Sequence, residues 1–168
     1  MLDTPDKVRP CTEDAHGGNQ SSKFADEYPL NILIADDNFV NKKLIEKILQ
    51  KLGYQADTAS DGIQVLNCLD KKNYDVILMD IRMPEMDGYE ATMSIRHMNI
   101  EQPYIIAMTA NVMPSDREQC LEIGMNEFIP KPINLNEVIT KLRIAASFCA
   151  NRNKGVFFLN PTESTPRY

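Results

Sequence analysis

Four places in this 168-residue chain put a group capable of phosphate or metal chemistry at the end of a short apolar run. Asp36-Asp37 follows Asn31–Ala35, Asp80 follows Asp75–Met79, and Thr109 follows Tyr104–Met108. Lys131 stands just behind Glu127–Ile129. Two carboxylates about 4 Å apart repel by roughly 1 kcal/mol in water and about 4 kcal/mol near a protein surface. Gathering three therefore calls for a cation, and Mg²⁺ suits a few carboxylates plus a phosphate oxygen. One carboxylate of such a set can attack phosphorus. A Lys ammonium and a Thr hydroxyl then offset charge on the equatorial oxygens. Singly, each group is ordinary: an Asp pair or a Thr caps a helix, and a Lys is a solvated charge. Their joint placement on four run ends is what points to phosphoryl transfer.

The apolar runs must be strands for this to work. Continuous rather than alternating apolarity, as in Asn31–Ala35, Asp75–Met79 and Tyr104–Met108, is what a parallel sheet covered on both faces requires. Gln55–Ala59 and Glu127–Ile129 are weaker candidates. Helical patterns lie between them. Val40, Leu44, Ile48 and Leu52 recur every four residues and stop at Gly53, a fitting C-terminal cap. Ser60-Asp61-Gly62 opens a helix running to Leu69, and others are expected over Tyr89–Met98 and Ser115–Ile123, the latter ended by Gly124. A last helix from Leu135 to about Phe148 has Val138, Leu142 and Ala145 on one face. Strand and helix thus alternate five times. That order predicts an α/β single domain, a doubly wound five-stranded parallel sheet in the flavodoxin-like order 2-1-3-4-5. Ligands of such sheets bind at the carboxyl ends of the strands, where all the groups named above fall.

Residues 1–29 have almost no apolar periodicity and are expected to be a flexible linker or leader. Residues 30–148 form the domain, and 149–168 a C-terminal tail in which Val156-Phe157-Phe158-Leu159 is the one apolar stretch. A net charge of −6 argues against nucleic acid as a direct partner. The N-terminal residues lack the apolar core of a signal peptide, and no run reaches transmembrane length, so a cytoplasmic segment without membrane contact is expected. Cys11, Cys68, Cys120 and Cys149 have no metal-ligand spacing and read as reduced thiols.

The stretches ILIADDN (32–38), VILMDIRMPEMDG (76–88), IIAMTAN (105–111) and FIPKPI (128–133) resemble the receiver domain of two-component response regulators. The resemblance spans roughly residues 30–146. It implies that Asp80 accepts the phosphoryl group, with Mg²⁺ as cofactor and Mn²⁺ able to substitute. Asp37 is then a direct metal ligand, Asp36 a ligand through water, and the main-chain carbonyl of Arg82 a further ligand. Thr109 becomes the switch hydroxyl, Phe128 the aromatic rotamer switch and Lys131 the site's ammonium, with a cis peptide between Lys131 and Pro132. Arg82 and Asn111 take the positions that set phosphoryl lifetime.

The wording of the motifs, MDIRMPEMDGYEAT above all, is similar to receivers of hybrid sensor histidine kinases, including those of plants. That implies a histidine kinase domain as donor, in the same parent chain, and a histidine-containing phosphotransfer protein as acceptor. The partner would dock on Asn38, Val40, Asn41, Ile45 and Pro132. The receiver itself would catalyse only its own phosphorylation and dephosphorylation. A stand-alone response regulator acting by phosphorylation-dependent protein binding is the alternative. His16 and His97 are not expected to carry phosphate. A haloacid-dehalogenase-type hydrolase wants an Asp two residues after the nucleophile, where this chain has Arg82. A flavin carrier of this fold wants a phosphate loop after the first strand. The intact set of Asp36, Asp37, Asp80, Thr109 and Lys131 argues against a binding module that has lost its chemistry.

Overall fold

The computed structural model describes residues 23–154. Its central strands, β1 (Ile32–Ala35), β3 (Val76–Asp80) and β4 (Tyr104–Thr109), are buried along their whole length. This is what their unbroken apolarity demands of a sheet covered on both faces. With β2 (Asp57–Ala59) and β5 (Glu127–Pro130) they form one parallel sheet in the order β2-β1-β3-β4-β5. The helices in chain order are α1 (Phe24–Glu27), α2 (Phe39–Leu52), α3 (Gly62–Lys71), α4 (Gly88–His97), α5 (Pro114–Ile123) and α6 (Leu135–Asn153). Alternate strand residues feed two cores. Ile32, Ile34, Leu78 and Ile106 pack with α2 and α6, while Leu33, Ala35, Ile77 and Met79 pack with α3, α4 and α5.

Register sets the rim. Ala35 pairs with Met79, so Asp36 and Asp80 leave their strands one step beyond the same rung. Asp80 pairs with Met108, and Thr109 with Pro130, which brings Lys131 one step further along. No loop has to search for the others; the ladder delivers them.

On α2 the inward face is Ile45, Ile48, Leu49 and Leu52, whereas Val40 is 72% and Leu44 44% exposed. The four-residue spacing read from the sequence turns 400° per step and drifts off the core, while spacings of three and four residues stay on it. The Asn38 side chain caps the start of α2, accepting from the N–H groups of Val40 and Asn41, and Gly53 ends it at φ 94°. β2 begins two residues later than expected. α6 continues past Phe148 to Asn153, because Ala145, Ala146 and Cys149 extend its buried stripe and Arg152 ties it to Glu101 at 2.9 Å. Cys68, Cys120 and Cys149 are free thiols. No helix among the described residues is long and apolar enough to cross a membrane. Cys11, His16 and Val156–Leu159 lie outside the described residues.

The segment expected to be linker up to residue 29 contains α1, which packs on the end of α2. The Phe24 ring lies 4.8 Å from that of Tyr28 and 6.3 Å from that of Tyr54, and the Arg143 guanidinium sits 6.0 Å over it. The Tyr54 hydroxyl donates to the Tyr28 carbonyl at 2.5 Å. A Cβ on Gly53 would come within 2.9 Å of Lys23 Cβ, so the two segments meet without room for a side chain. Phe24→Ala is expected to lower unfolding free energy by about 2 kcal/mol, below the range for a fully buried Phe because this ring is only partly covered. Urea denaturation followed by circular dichroism checks this; an unchanged midpoint would mean that α1 is dispensable.

Candidate functional site

The crevice between β1 and β3 is where the strand order reverses, and Asp36 lies fully buried on one side of it. Its backbone N–H donates to Ala59 at 3.2 Å. Its carboxylate accepts from the Asn38 N–H (2.8 Å), the Asn41 amide (3.3 Å) and Lys131 Nζ (3.2 Å). Across the crevice Asp80, 7% exposed, receives the same ammonium at 3.1 Å and the Arg82 N–H at 3.4 Å. Asp37 is exposed, yet Asp36, Asp37 and Asp80 each offer an oxygen within 4.8 Å of the others. One ammonium facing three carboxylates leaves an excess negative charge in a half-dry cleft. Only oxygen donors converge there, so the set fits a hard divalent ion such as Mg²⁺.

The electrostatics follow. Burial raises the Asp80 pKa, and the Asp36 charge adds to this, outweighing Lys131 and the Arg82 hydrogen bond. Burial pulls on Lys131 in the opposite sense for an amine, but Asp80 and Asp36 overcome it and raise its pKa.

The β3–α4 loop is clamped close to Asp80. Gly88 donates its N–H to Ile81 at 2.9 Å, and a Cβ there would lie 2.3 Å from the Asp80 carbonyl oxygen. The Asp87–Glu90 capping box fixes the start of α4, and Glu85 takes φ 64° in the turn before it. Thr109, 8% exposed, is held in a tight turn: its hydroxyl donates to the Asn111 carbonyl at 2.8 Å and accepts from the Asn111 N–H at 3.1 Å. The Lys131 N–H donates to the Thr109 carbonyl at 2.7 Å, and the Lys131–Pro132 peptide is cis.

A cleft of about 560 Å³ brings Asp37, Asn38, Asn41, Asp80 and Lys131 together with Arg82, Thr109 and Asn111. It also includes Tyr89, Asp116 and Gln119, which reading the sequence missed. Asp116 and Gln119 sit on the helix with the weakest apolar pattern, and nothing in their spacing marks them. Phe128 lies apart, half-buried beneath Arg117 (5.3 Å) and Lys141 (5.4 Å), in a neighbouring hollow of about 450 Å³ that also reaches Thr109. Of the expected docking residues, Val40 and Pro132 are exposed, Asn38 is exposed and Asn41 is tied to Asp36. Ile45 is fully buried and cannot meet a partner; the inward turn of α2 takes it into the core. The exposed apolar side chains there are Phe39 (68%), Val40 and Leu44.

The profile of the response regulator receiver domain matches residues 32–143. The chain belongs to that family. Its sequence is 46% identical over 139 residues to histidine protein kinase 1 of Candida albicans, covering 74% of this chain and 6% of that protein. It is 42% identical over 123 residues to hybrid signal transduction histidine kinase B of Dictyostelium discoideum, covering 66% of this chain and 6% of that protein. The chain therefore spans a small fraction of the kinases it matches. Among solved structures, the receiver domain of a Pseudomonas aeruginosa sensor histidine kinase aligns with TM-score 0.64 and 41% identity, over 70% of this chain and 98% of that one. That receiver holds a magnesium ion in its active-site cleft. The receiver of the Saccharomyces cerevisiae response regulator Ssk1, solved with the histidine phosphotransfer protein Ypd1, aligns with TM-score 0.66 and 25% identity, over 71% and 90%. This receiver is of the kind found in hybrid kinases.

The raised Asp80 pKa has a consequence for folding. An acid held above its unfolded pKa binds protons more tightly when folded, so its penalty is absent at low pH and fully present above the folded pKa. Asp80→Asn should therefore stabilise the receiver at pH 7 in chelator, by on the order of 1 kcal/mol, chiefly because a buried carboxylate is removed and then because its repulsion with Asp36 is relieved. The gain should vanish as pH falls toward the ordinary carboxylate range. Denaturation midpoints at both pH values check the sign, and a loss of stability at pH 7 would refute it.

Proposed function

We propose that this receiver takes a phosphoryl group from a phosphohistidine onto Asp80 and yields it to a histidine-containing phosphotransfer protein. The observation that supports this most directly is Lys131 Nζ lying between Asp36 and Asp80, at 3.2 and 3.1 Å, with Asp37 beside them. In this reading Asp37, Asp80 and the Arg82 carbonyl hold Mg²⁺ or Mn²⁺ directly, and Asp36 does so through water. Bound there, the ion neutralises charge on the phosphoryl oxygens.

An Asp80 carboxylate oxygen forms the new P–O bond as the P–N bond of the phosphohistidine breaks, its electron pair remaining on the imidazole nitrogen. Lys131 steadies the attacking carboxylate and then a phosphoryl oxygen. Thr109 has to release Asn111 to donate to another. It gives up hydrogen bonds worth about 1 kcal/mol each and gains one to a charged acceptor, worth about 1.5–3 kcal/mol. The incoming charge of about −1.5 to −2 draws the hydroxyl across, with Phe128 following into the hollow behind it. Onward transfer runs the same bonds in reverse.

Residues 30–148 carry this chemistry, with 1–29 as the connection to a hybrid sensor histidine kinase that acts in the cytoplasm and 149–168 as a tail. The phosphotransfer protein docks on Asn38, Val40, Asn41 and Pro132, joined by Phe39 and Leu44. The exposed apolar end of α2 supports that surface, as does the phosphotransfer complex of a structural neighbour.

Acetyl phosphate with Mg²⁺ should produce an acid-stable, base-labile adduct, and neither chelator nor Asp80→Asn should permit it. Labelling that survives either treatment would refute the reading. Substituting Arg82 or Asn111, which flank the acceptor and the switch hydroxyl, should change the adduct's half-life several-fold without preventing its formation. Decay rates equal to the parent's in both variants would remove them from the mechanism.

A further inference from the structure

Two polar groups on the α5 side of the cleft are badly served in this structure. Asp116 Oδ2 is buried and has no hydrogen-bond partner among the described residues. The Tyr89 hydroxyl, from α4, has a thiol as its described partner, Cys120 Sγ at 3.8 Å. A thiol is a weak donor and a weak acceptor. An unpartnered buried acceptor costs about 1–3 kcal/mol, and an O–H to carboxylate bond is among the stronger hydrogen bonds available.

Asp116 and Cys120 are four residues apart on α5 and therefore share one face. A hydroxyl resting on Cys120 already lies along the stripe that leads to Asp116. Tyr89 and Asp116 both line the cleft that holds Asp80 and Thr109. Burial first, and then Cys120 and Asp116, push the Tyr89 pKa up to about 12, so the phenol keeps its proton and remains a donor.

Asp116 lies in the first turn of α5. That turn hangs from the loop after β4: the N-cap, Met113, gives no side-chain cap, and the Asp116 N–H donates to the Met113 carbonyl at 3.0 Å. The loop in turn is pinned by the Thr109–Asn111 hydrogen bonds. Releasing that pin frees the turn that carries Asp116.

We propose that Tyr89 and Asp116 form a hydrogen bond in the phosphorylated receiver, making them positioning residues that lock α4 to α5 once Thr109 has moved. The inference rests on the phosphoacceptor reading. The lock selects the phosphorylated state because the bond is available only when the β4–α5 loop has been released. The ring at the rotamer-switch position, Phe128, has no hydroxyl, so this polar tether comes from α4.

The test uses the whole chain with Mg²⁺ and beryllofluoride as the phosphoryl mimic, its affinity read from the dependence of the melting midpoint on mimic concentration. Tyr89→Phe and Asp116→Ala should each weaken binding about tenfold, and the double variant no further. Asp116→Asn, whose amide oxygen still accepts, should restore most of the loss. Without the mimic, the two substitutions should be additive in stability to within about 0.5 kcal/mol. A fluorine label on the Tyr89 ring should change its ¹⁹F resonance on activation, and not in Asp116→Ala. Unchanged affinities, additive losses in the activated state, or coupling of equal size with and without the mimic would overturn the proposal. If the parent protein does not bind the mimic at all, the phosphoacceptor reading fails and the lock falls with it. Binding that is intact in the parent and in all variants overturns the lock alone.

Discussion

A single ammonium held between two buried carboxylates organises this receiver. Lys131 can reach Asp36 and Asp80 together only if β1, β3 and β5 end level, and that requires the register seen along the whole sheet. The arrangement is not a stabilising salt bridge in the ordinary sense. Burying two carboxylates costs more than one cation returns, and the raised Asp80 pKa records the shortfall. The fold tolerates that strain because the two apolar cores beneath the rim are continuous and fully buried. An incompletely neutralised cleft is one that attracts a cation.

The same logic applies to Thr109. Its hydroxyl is occupied, in a two-residue turn with Asn111. Its partners there are neutral main-chain groups, with which a charged acceptor would compete. Gly88 serves the rigid half of the site. The 2.3 Å approach that any Cβ would make to the Asp80 carbonyl explains why the glycine of the DG pair ends that motif.

Much of this was legible in the sequence because it depends on short-range patterns. Unbroken apolar runs marked β1, β3 and β4, and the residues behind them marked the rim. What escaped depends on angle or on distant partners. Ile45 and Leu44 differ by one position, and only the true helical pitch puts one in the core and the other in solvent. Phe24 and Tyr28 were hidden in a polar leader, since a four-residue helix is too short to show a period. Tyr89 meets Cys120, and shares a cleft with Asp116, only because α4 and α5 lie side by side, which no spacing within either helix announces.

The packing of α1 also has a consequence for the two ends of the described residues. α1 sits at the end of α2 beside Gly53, and α6 finishes beside Asp75 and Glu101, so both ends of the described residues lie at the pole opposite Asp80. α6 alone, at 19 residues, spans about 28 Å between the poles. Among the described residues, neither α1 nor the end of α6 stands over the rim, so a group approaching Asp80 meets a face clear of both.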